Sequence, residues 1–385
     1  MTLTEGYSEI EVVVISQNSY RLKIDRSRLK EGRDVTLGVV TFQPSVIPLQ
    51  FEATKYFNCE WYVIARLINT GEDMIENLET IDQFTGVTIV AKQFKPDTKI
   101  VRIERYGSGN INSTYLVTLD RQPPFILQRL NTKVFCQPEL VMDNICILSD
   151  LVGQKLNQFN IDRDRRWQIP QVLSTTQNQN HYVAEDGSFW RGMTFIDNSQ
   201  SFDTIQDSQH AQEIGYGLGM FHRSVDEIPP TQLADTLKGF HITPSYLKHY
   251  HDVTAARKIE PSDEVDYCYK FISDRPQLPY VLENAKASGE LKLRTIHGDP
   301  KINNIMIDCS TGKAVAMIDL DTVKPGLIHY DIGDCLRSGC NVLGEETENW
   351  QEVTFEPELA RSILKGYLEI ARDFLTENDY KYIYS

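Results

Sequence analysis

The sequence predicts an α+β fold in two lobes, preceded by a strand-rich segment. Three observations carry this. Residues 100–193 run strand, strand, strand, helix, strand, strand. After residue 197 the apolar pattern turns mainly helical. That helical part is interrupted by one short strand pair, 305–307 and 314–318, with Asn304 and Asp319 at its ends.

Bulk numbers set the frame. The chain has 385 residues, enough for two or three domains with cores of their own. Hydrophobic residues make up 41% and charged residues 24%, an ordinary globular balance. Its 39 basic and 54 acidic residues give a net charge of −15, which argues against nucleic-acid binding through a basic surface. An anionic substrate must therefore meet a local basic pocket. Seven cysteines are scattered with no Cys-x-x-Cys, the pattern of free thiols in a reducing cytoplasm. The opening MTLTEGYSEIEVVV has neither the basic stretch nor the long apolar run of a signal peptide. No apolar run approaches the ~20 residues of a membrane span.

The elements follow in order. Residues 1–90 hold short Val- and Ile-rich strands at 11–16, 35–42 and 61–66, and no chemical motif. Strands at 100–106 and 114–119 flank GSGNINS, and a third, 125–129, follows a Pro-Pro turn. Pro138 suits a first helical position, and Leu140, Val141, Ile145, Leu148 and Val152 recur at helical spacing. Strands near 181–183 and 188–193 flank an Asp186-Gly187 hairpin turn. Ala211, Ile214, Leu218, Phe221 and Val225 mark one apolar helix face. Gly215, Gly217 and Gly219 lie inside that helix and predict close helix packing, not a phosphate loop. A helix over 356–372 and a capping box opening at Thr376 close the chain.

The informative segment is IHGDPKINNIMIDCSTGKAVAMIDLD. Phosphoryl transfer needs a carboxylate to orient the attacking hydroxyl, and oxygen ligands to hold metal on the phosphates. His297-x-Asp299-x-x-x-x-Asn304 supplies carboxylate and amide at the kinase spacing. Lys301 stands two residues beyond Asp299, placed to meet the moving phosphoryl group. Asp319 ends an apolar strand fifteen residues after Asn304, and a tight hairpin of that length returns it beside Asn304. Both can then share metal, and Asp321 can touch a second ion. His297 reads as an ordering residue of the loop and not as the base.

HGDPKINN and MIDLD resemble the aminoglycoside phosphotransferase and choline kinase superfamily, a branch of the protein-kinase-like fold. YGSGNINSTYLV, FILQRLNTKVF, FWRGMTFID and MIDLDTVKPGLIHYDIGDCLRSG are similar to the N-acetylhexosamine 1-kinases, the group loosely labelled mucin desulfatase. The resemblance covers about residues 90 to 385. It implies a two-lobed kinase fold, ATP, magnesium (Mg2+) and phosphorylation of a sugar hydroxyl. Asp319-Leu320-Asp321 in place of Asp-Phe-Gly sets the chain apart from protein kinases. The small lobe is then expected at 91–196 and the large lobe at 197–385, after an unassigned region 1–90.

The resemblance also implies further site residues. Gly107, Ser108 and Gly109 would cover the phosphates with backbone N–H groups, although Asn112 stands where a third glycine is usual. The strand-three lysine that usually holds phosphates is missing, and Gln128 or Arg129 occupies its place; strand alternation lets only one face the cleft. Glu139 or Asp143 stands where the helix acid would be. Residues 193–196, with Thr194 and Phe195, form the expected adenine-binding hinge. Asp331 and Asp334 resemble the acids that brace the catalytic loop, and Arg337 either neutralises phosphate or pairs with one of those acids. His241, His249 and His251 lack companions for a zinc site.

The acceptor is expected to be a small molecule, a sugar or amino sugar taken at its anomeric hydroxyl. Rivals are a kinase of another metabolite (choline, homoserine, an aminoglycoside) and a nucleotide-binding pseudokinase, the latter suggested by the missing lysine and glycine. The resembling sugar kinases continue with further helices beyond the point where this sequence ends, which predicts apolar surface exposed near the acceptor site.

Overall fold

The computed structural model describes residues 84–107, 109, 111–155, 165–256, 260 and 262–384, together with five strands of the preceding segment. Residues 1–83 form one compact unit and 84–385 a second. In the first, β1 (Ile10–Ser16), β2 (Ser19–Ile24) and β3 (Val39–Val40) make an antiparallel sheet, while β4 (Leu49–Lys55) and β5 (Trp61–Leu67) pair as a hairpin. The sequence predicts strands near β1, β3 and β5 and not β2 or β4.

The second unit opens with α1 (Thr85–Phe94), an element with no counterpart in the sequence reading, which places a boundary near residue 90. Its sequence, TGVTIVAKQF, is rich in β-branched residues that disfavour helix locally. Packing overrides this. Val87, Val90, Ala91 and Phe94 recur at helical spacing and are buried with Ile103, Tyr115, Leu127 and Trp190 of the sheet.

That sheet is antiparallel. It contains β6 (Ile100–Arg105), β7 (Ser113–Leu119), β8 (Phe125–Leu130), β9 (Val172–Leu173), β10 (Tyr182–Val183) and β11 (Phe189–Thr194). Along it the order is β10-β11-β8-β7-β6, with β9 also on β11. Helix α2 (Pro138–Lys155) begins at Pro138 and buries Val141, Ile145, Leu148 and Val152. The chain then crosses into the helical lobe through β12 (Ser199–Gln200).

The helical lobe is built on α3 (Ser208–Val225), whose N-cap Asp207 accepts the His210 N–H at 2.7 Å. Helices α4 (Thr243–Ala256), α5 (Asp263–Ser273) and α6 (Val281–Ala287) follow. Then come β13 (Arg294–Ile296), β14 (Ile305–Asp308), β15 (Ala314–Met317) and β16 (Lys324–Gly326). Helices α7 (Ile328–Gly339), α8 (Pro357–Ala371) and α9 (Glu377–Lys381) end the chain, the last opened by the Thr376/Asp379 capping box. Among the described residues no helix is long and apolar enough to cross a membrane.

The glycines of α3 are packing residues, as the sequence predicts. A Cβ on Gly215 would lie 1.8 Å from the Ile363 carbonyl oxygen of α8, and one on Gly366 would lie 1.8 Å from that of Gln212. At Gly219 the nearest atom would be 3.0 Å away. Backbone cannot retreat as a side-chain tip can, so the two helices must separate to admit a methyl group. We expect Gly215→Ala or Gly366→Ala to cost about 3 kcal/mol or more, at or above the usual overpacking range. Gly219→Ala should cost less. Thermal unfolding of the three variants checks the order, and an unchanged midpoint for Gly215→Ala would refute it.

Candidate active site

The loop after β13 is held from below by one carboxylate. Asp331, wholly buried on α7, accepts the His297 N–H on Oδ2 at 2.7 Å and the Gly298 N–H on Oδ1 at 2.9 Å. His222 Nε2 from α3 also meets Oδ2, at 2.9 Å. Burial raises the Asp331 pKa, but His222 and these N–H groups outweigh it and hold the carboxyl below its ordinary value. Gly298 has φ +87°, and a Cβ there would sit 2.5 Å from the Thr322 carbonyl oxygen, so glycine is required.

His297 is fully buried, and its tautomer follows from its partners. The Asp299 N–H donates to Nδ1 at 3.2 Å, so Nε2 carries the proton and donates to the Ile318 carbonyl at 2.9 Å. One imidazole therefore joins Asp299 to the strand end that carries Asp319. Asp299 itself is 27% exposed, with Lys301 Nζ 3.4 Å from its Oδ2. Burial lowers the Lys301 pKa, but Asp299 and Glu345 outweigh it and leave the value raised.

Asn304 and Asp319 meet as the hairpin length predicts. Ile305 pairs with Met317, and the Ile318 N–H donates to the Asn304 carbonyl at 2.9 Å. The Asn304 amide donates to the Asp299 carbonyl at 2.8 Å, and its own amide oxygen has no donor among the described residues. Asp319 takes the left-handed conformation, φ +61° and ψ +57°, which aspartate tolerates better than most residues. By surface area it is exposed, with protein packed densely around its base. Crowding and the nearby Asp321 carboxylate push its pKa well above the usual range, against the pull of Arg191. A carboxylate that carries no ion pair of its own among the described residues, beside an open amide oxygen, is a hard-oxygen donor set that a divalent cation fits. Among the described residues no cluster of three or more His, Cys, Asp or Glu converges, so a zinc-type cage is absent from them.

Asp321, expected beside a second ion, lies in a buried polar cluster. It is 2% exposed; Oδ1 forms an ion pair with Arg191 Nη1 at 2.5 Å that lacks hydrogen-bond alignment, and Oδ2 accepts the Asn112 amide at 2.7 Å. Arg191, on β11, is 1% exposed and donates through Nε and Nη2 to Gln128 Oε1 at 3.0 and 2.7 Å. Gln128 thus faces this cluster, while Arg129 is exposed and 3.8 Å from Asp186. The sequence reading does not single out Arg191. The available signal was a charged residue inside the apolar strand FWRGMT. Gly107 (φ +78°) and Gly109 lie in the turn between β6 and β7, above a cavity of about 270 Å³, and Ser108 lies outside the described residues.

At the expected hinge, the Thr194 N–H donates to the Gln171 carbonyl at 2.9 Å, and the Phe195 ring stands edge-on to Tyr106 at 5.8 Å. A cavity of about 640 Å³ borders Thr194 and Phe195 together with Asp150 and Gln168. Neither Asp299 nor Asp319 lines it. Asp334 pairs with Arg337 at 2.7 Å, and Arg337 reaches Glu345 at 2.6 Å, so the arginine sits in ion pairs. The second Asp334 oxygen is buried without a donor; burial, opposed by Arg337, raises the Asp334 pKa. His241, from the segment before α4, contacts the Gly298 carbonyl at 2.5 Å.

The loop should be acid-labile. Burial depresses the His297 pKa below its ordinary 6.5, and Asp331 is depressed below its ordinary 3.8. In both cases the native state binds fewer protons than the unfolded chain, so stability falls as pH drops through each window. The His297 contribution is lost first, beginning near its ordinary 6.5. Thermal midpoints from pH 8 to 5 should decline, and His297→Gln should flatten the upper part of that decline. A slope unchanged by the substitution would refute it.

A family model described as the phosphotransferase enzyme family matches residues 102–375. Among solved structures, the aminoglycoside phosphotransferase from Alicyclobacillus acidocaldarius subsp. acidocaldarius DSM 446 is 14% identical. The match covers 77% of this chain and 80% of that one, with a TM-score of 0.50. The microcompartment-associated aminopropanol kinase is 15% identical over 77% of this chain and 84% of that one, at a TM-score of 0.47. The GDP complex of aminoglycoside 2'-phosphotransferase-IIIa is 15% identical over 75% and 84%, at 0.48. At such identities the likeness concerns fold alone, and the first of the three carries it. The family match spans well over half of the chain and contains the loop, the hairpin and the acidic turn. The chain therefore belongs to the phosphotransferase enzyme family.

Proposed function

We propose that this chain transfers the γ-phosphoryl group of ATP to the anomeric hydroxyl of an (N-acetyl)hexosamine-type sugar in the cytoplasm. One observation carries the kinase part: His297 joins the Asp299 backbone to the end of the strand bearing Asp319, while Asn304 lies across the hairpin. The sugar part rests on the resemblance of FILQRLNTKVF, FWRGMTFID and the stretch from MIDLD to CLRSG to the N-acetylhexosamine 1-kinases.

In this reading Asp299 orients the acceptor hydroxyl and takes its proton. Lys301, charged beside it, meets the transferred phosphate. Asn304 and Asp319 would hold magnesium, which when bound supplies charge neutralisation on the phosphates. The turn of Gly107, Ser108 and Gly109 covers the phosphates and the Thr194–Phe195 hinge meets the base. Asp331 and His297 keep the loop in place, and the lobes divide as 91–196 and 197–385. An amine-bearing acceptor is the second reading, favoured by the buried, donorless oxygen of Asp334 near Asp299.

Asp299→Asn should lower turnover by about 100- to 10,000-fold while ADP still binds. Coupled measurement of ATP consumption over a panel of hexosamines and amino alcohols, with calorimetry for ADP, checks both halves. Activity near wild type would remove Asp299 from the base position. A methyl glycoside, blocked at its anomeric oxygen, should be inert with the wild-type enzyme. A phosphorylated methyl glycoside, identified by mass spectrometry, would move the reaction to another hydroxyl.

A further inference from the structure

We propose that Arg191 does the work of the missing strand-three lysine, supplying from the neighbouring strand the charge that fixes the acidic turn against the nucleotide-binding lobe. The proposal rests on the kinase reading above and concerns the nucleotide half of the site.

The register makes the substitution geometrically direct. Arg191 of β11 is the cross-strand partner of Gln128 on β8, and Gln128 stands where the lysine is expected. Directly opposed residues project to one face with Cβ atoms about 5 Å apart. A charge lost from one strand can therefore be supplied by the other at nearly the same place. The Gln128 amide cannot reverse freely, because its Nε2 donates to Thr114 Oγ1 at 2.9 Å, which leaves Oε1 for the guanidinium.

From there Arg191 reaches the acidic turn through Asp321, two residues beyond Asp319. The other Asp321 oxygen holds Asn112, and Asn112 Oδ1 accepts the Asn131 N–H at 3.0 Å. Asn112 sits at the end of the glycine turn that lines the 270 Å³ cavity. Three segments that must stay in register for nucleotide binding, namely β8, the glycine turn and the acidic turn, are thus tied to one side chain.

Stability alone is a poor account of this cluster. Buried ion pairs are often matched or exceeded by apolar side chains of similar volume. Trp190 and Met193 on the same strand are apolar and buried, so the strand accommodates such residues. Arg191 is shielded from solvent and does not touch the phosphate space directly. It is a positioning residue that acts through Asp321 and Asn112.

The test is a register swap read by ADP binding, measured calorimetrically with and without magnesium and without acceptor. Arg191→Gln should weaken ADP by about 10- to 100-fold, the usual cost of removing a supporting partner of a ligand group. Acceptor KM should stay unchanged. The double variant Gln128→Lys with Arg191→Gln keeps the charge and moves it across the strand pair. It should recover most of the lost affinity, which a purely local packing role would not allow. Wild-type affinity in Arg191→Gln, or a folded swap that recovers nothing, would overturn the proposal. So would aggregation of both variants, because the cluster would then be a folding requirement. A wild-type protein that binds no ADP would sink the kinase reading itself, a distinct result.

Discussion

The carboxylate of Asp331 is the constraint on which the loop after β13 depends. It lies where solvent cannot reach, and an unpaired charge there would be untenable. Two backbone N–H groups and His222 complete its shell. Because those donors come from residues 297 and 298, the loop has little freedom in where it places Asp299. Breaking a buried charged partnership costs about 3–5 kcal/mol, a large part of the ~5–15 kcal/mol that holds a typical domain. The loop conformation is therefore tied to the stability of the helical lobe.

The same constraint spreads outward through directional bonds. With its N–H fixed by Asp331, His297 can bridge Asp299 and Ile318 only in one tautomer. Thr322 hydroxyl donates to the His297 carbonyl at 2.8 Å, which closes the loop against the acidic turn. Asp319 then occupies the left-handed region between two anchored neighbours, Ile318 and the turn from Leu320 to Thr322. Strain of this kind persists where surrounding contacts over-determine the backbone, and here they do.

Helix α3 links this chemistry to the core. Its His222 reaches Asp331 and accepts or donates with the Tyr367 hydroxyl of α8 at 3.0 Å. Its Glu213 takes Arg165 in a two-pronged pair at 2.6 and 2.7 Å and accepts the Ala314 N–H of β15 at 2.9 Å. The first arm needs α3 and α8 close together, which Gly215 and Gly366 permit. The hairpin that carries Asn304 and the acid that braces Asp299 are thus positioned by one helix.

The sequence by itself determined the parts whose signals are local. The HGDPKINN spacing, the hairpin length from Asn304 to Asp319 and the Thr376 cap each depend on neighbours within a few turns of chain, and the small size of the three α3 glycines is itself a local signal of close approach. Only the tertiary structure decided the rest. Helix α1 forms against its β-branched composition because the sheet offers its apolar face a place to bury. Arg191 reads as one charge in an apolar strand until β8 and the acidic turn arrive beside it from 63 and 130 residues away in sequence. Asp321 reads from sequence only as a carboxylate beside Asp319, and its contacts with Arg191 and Asn112 come from 130 and 209 residues away. The physical reason is common to all three cases. Burial and charge pairing depend on which distant groups share a space, and sequence spacing carries that information only where the backbone geometry between two residues is already fixed.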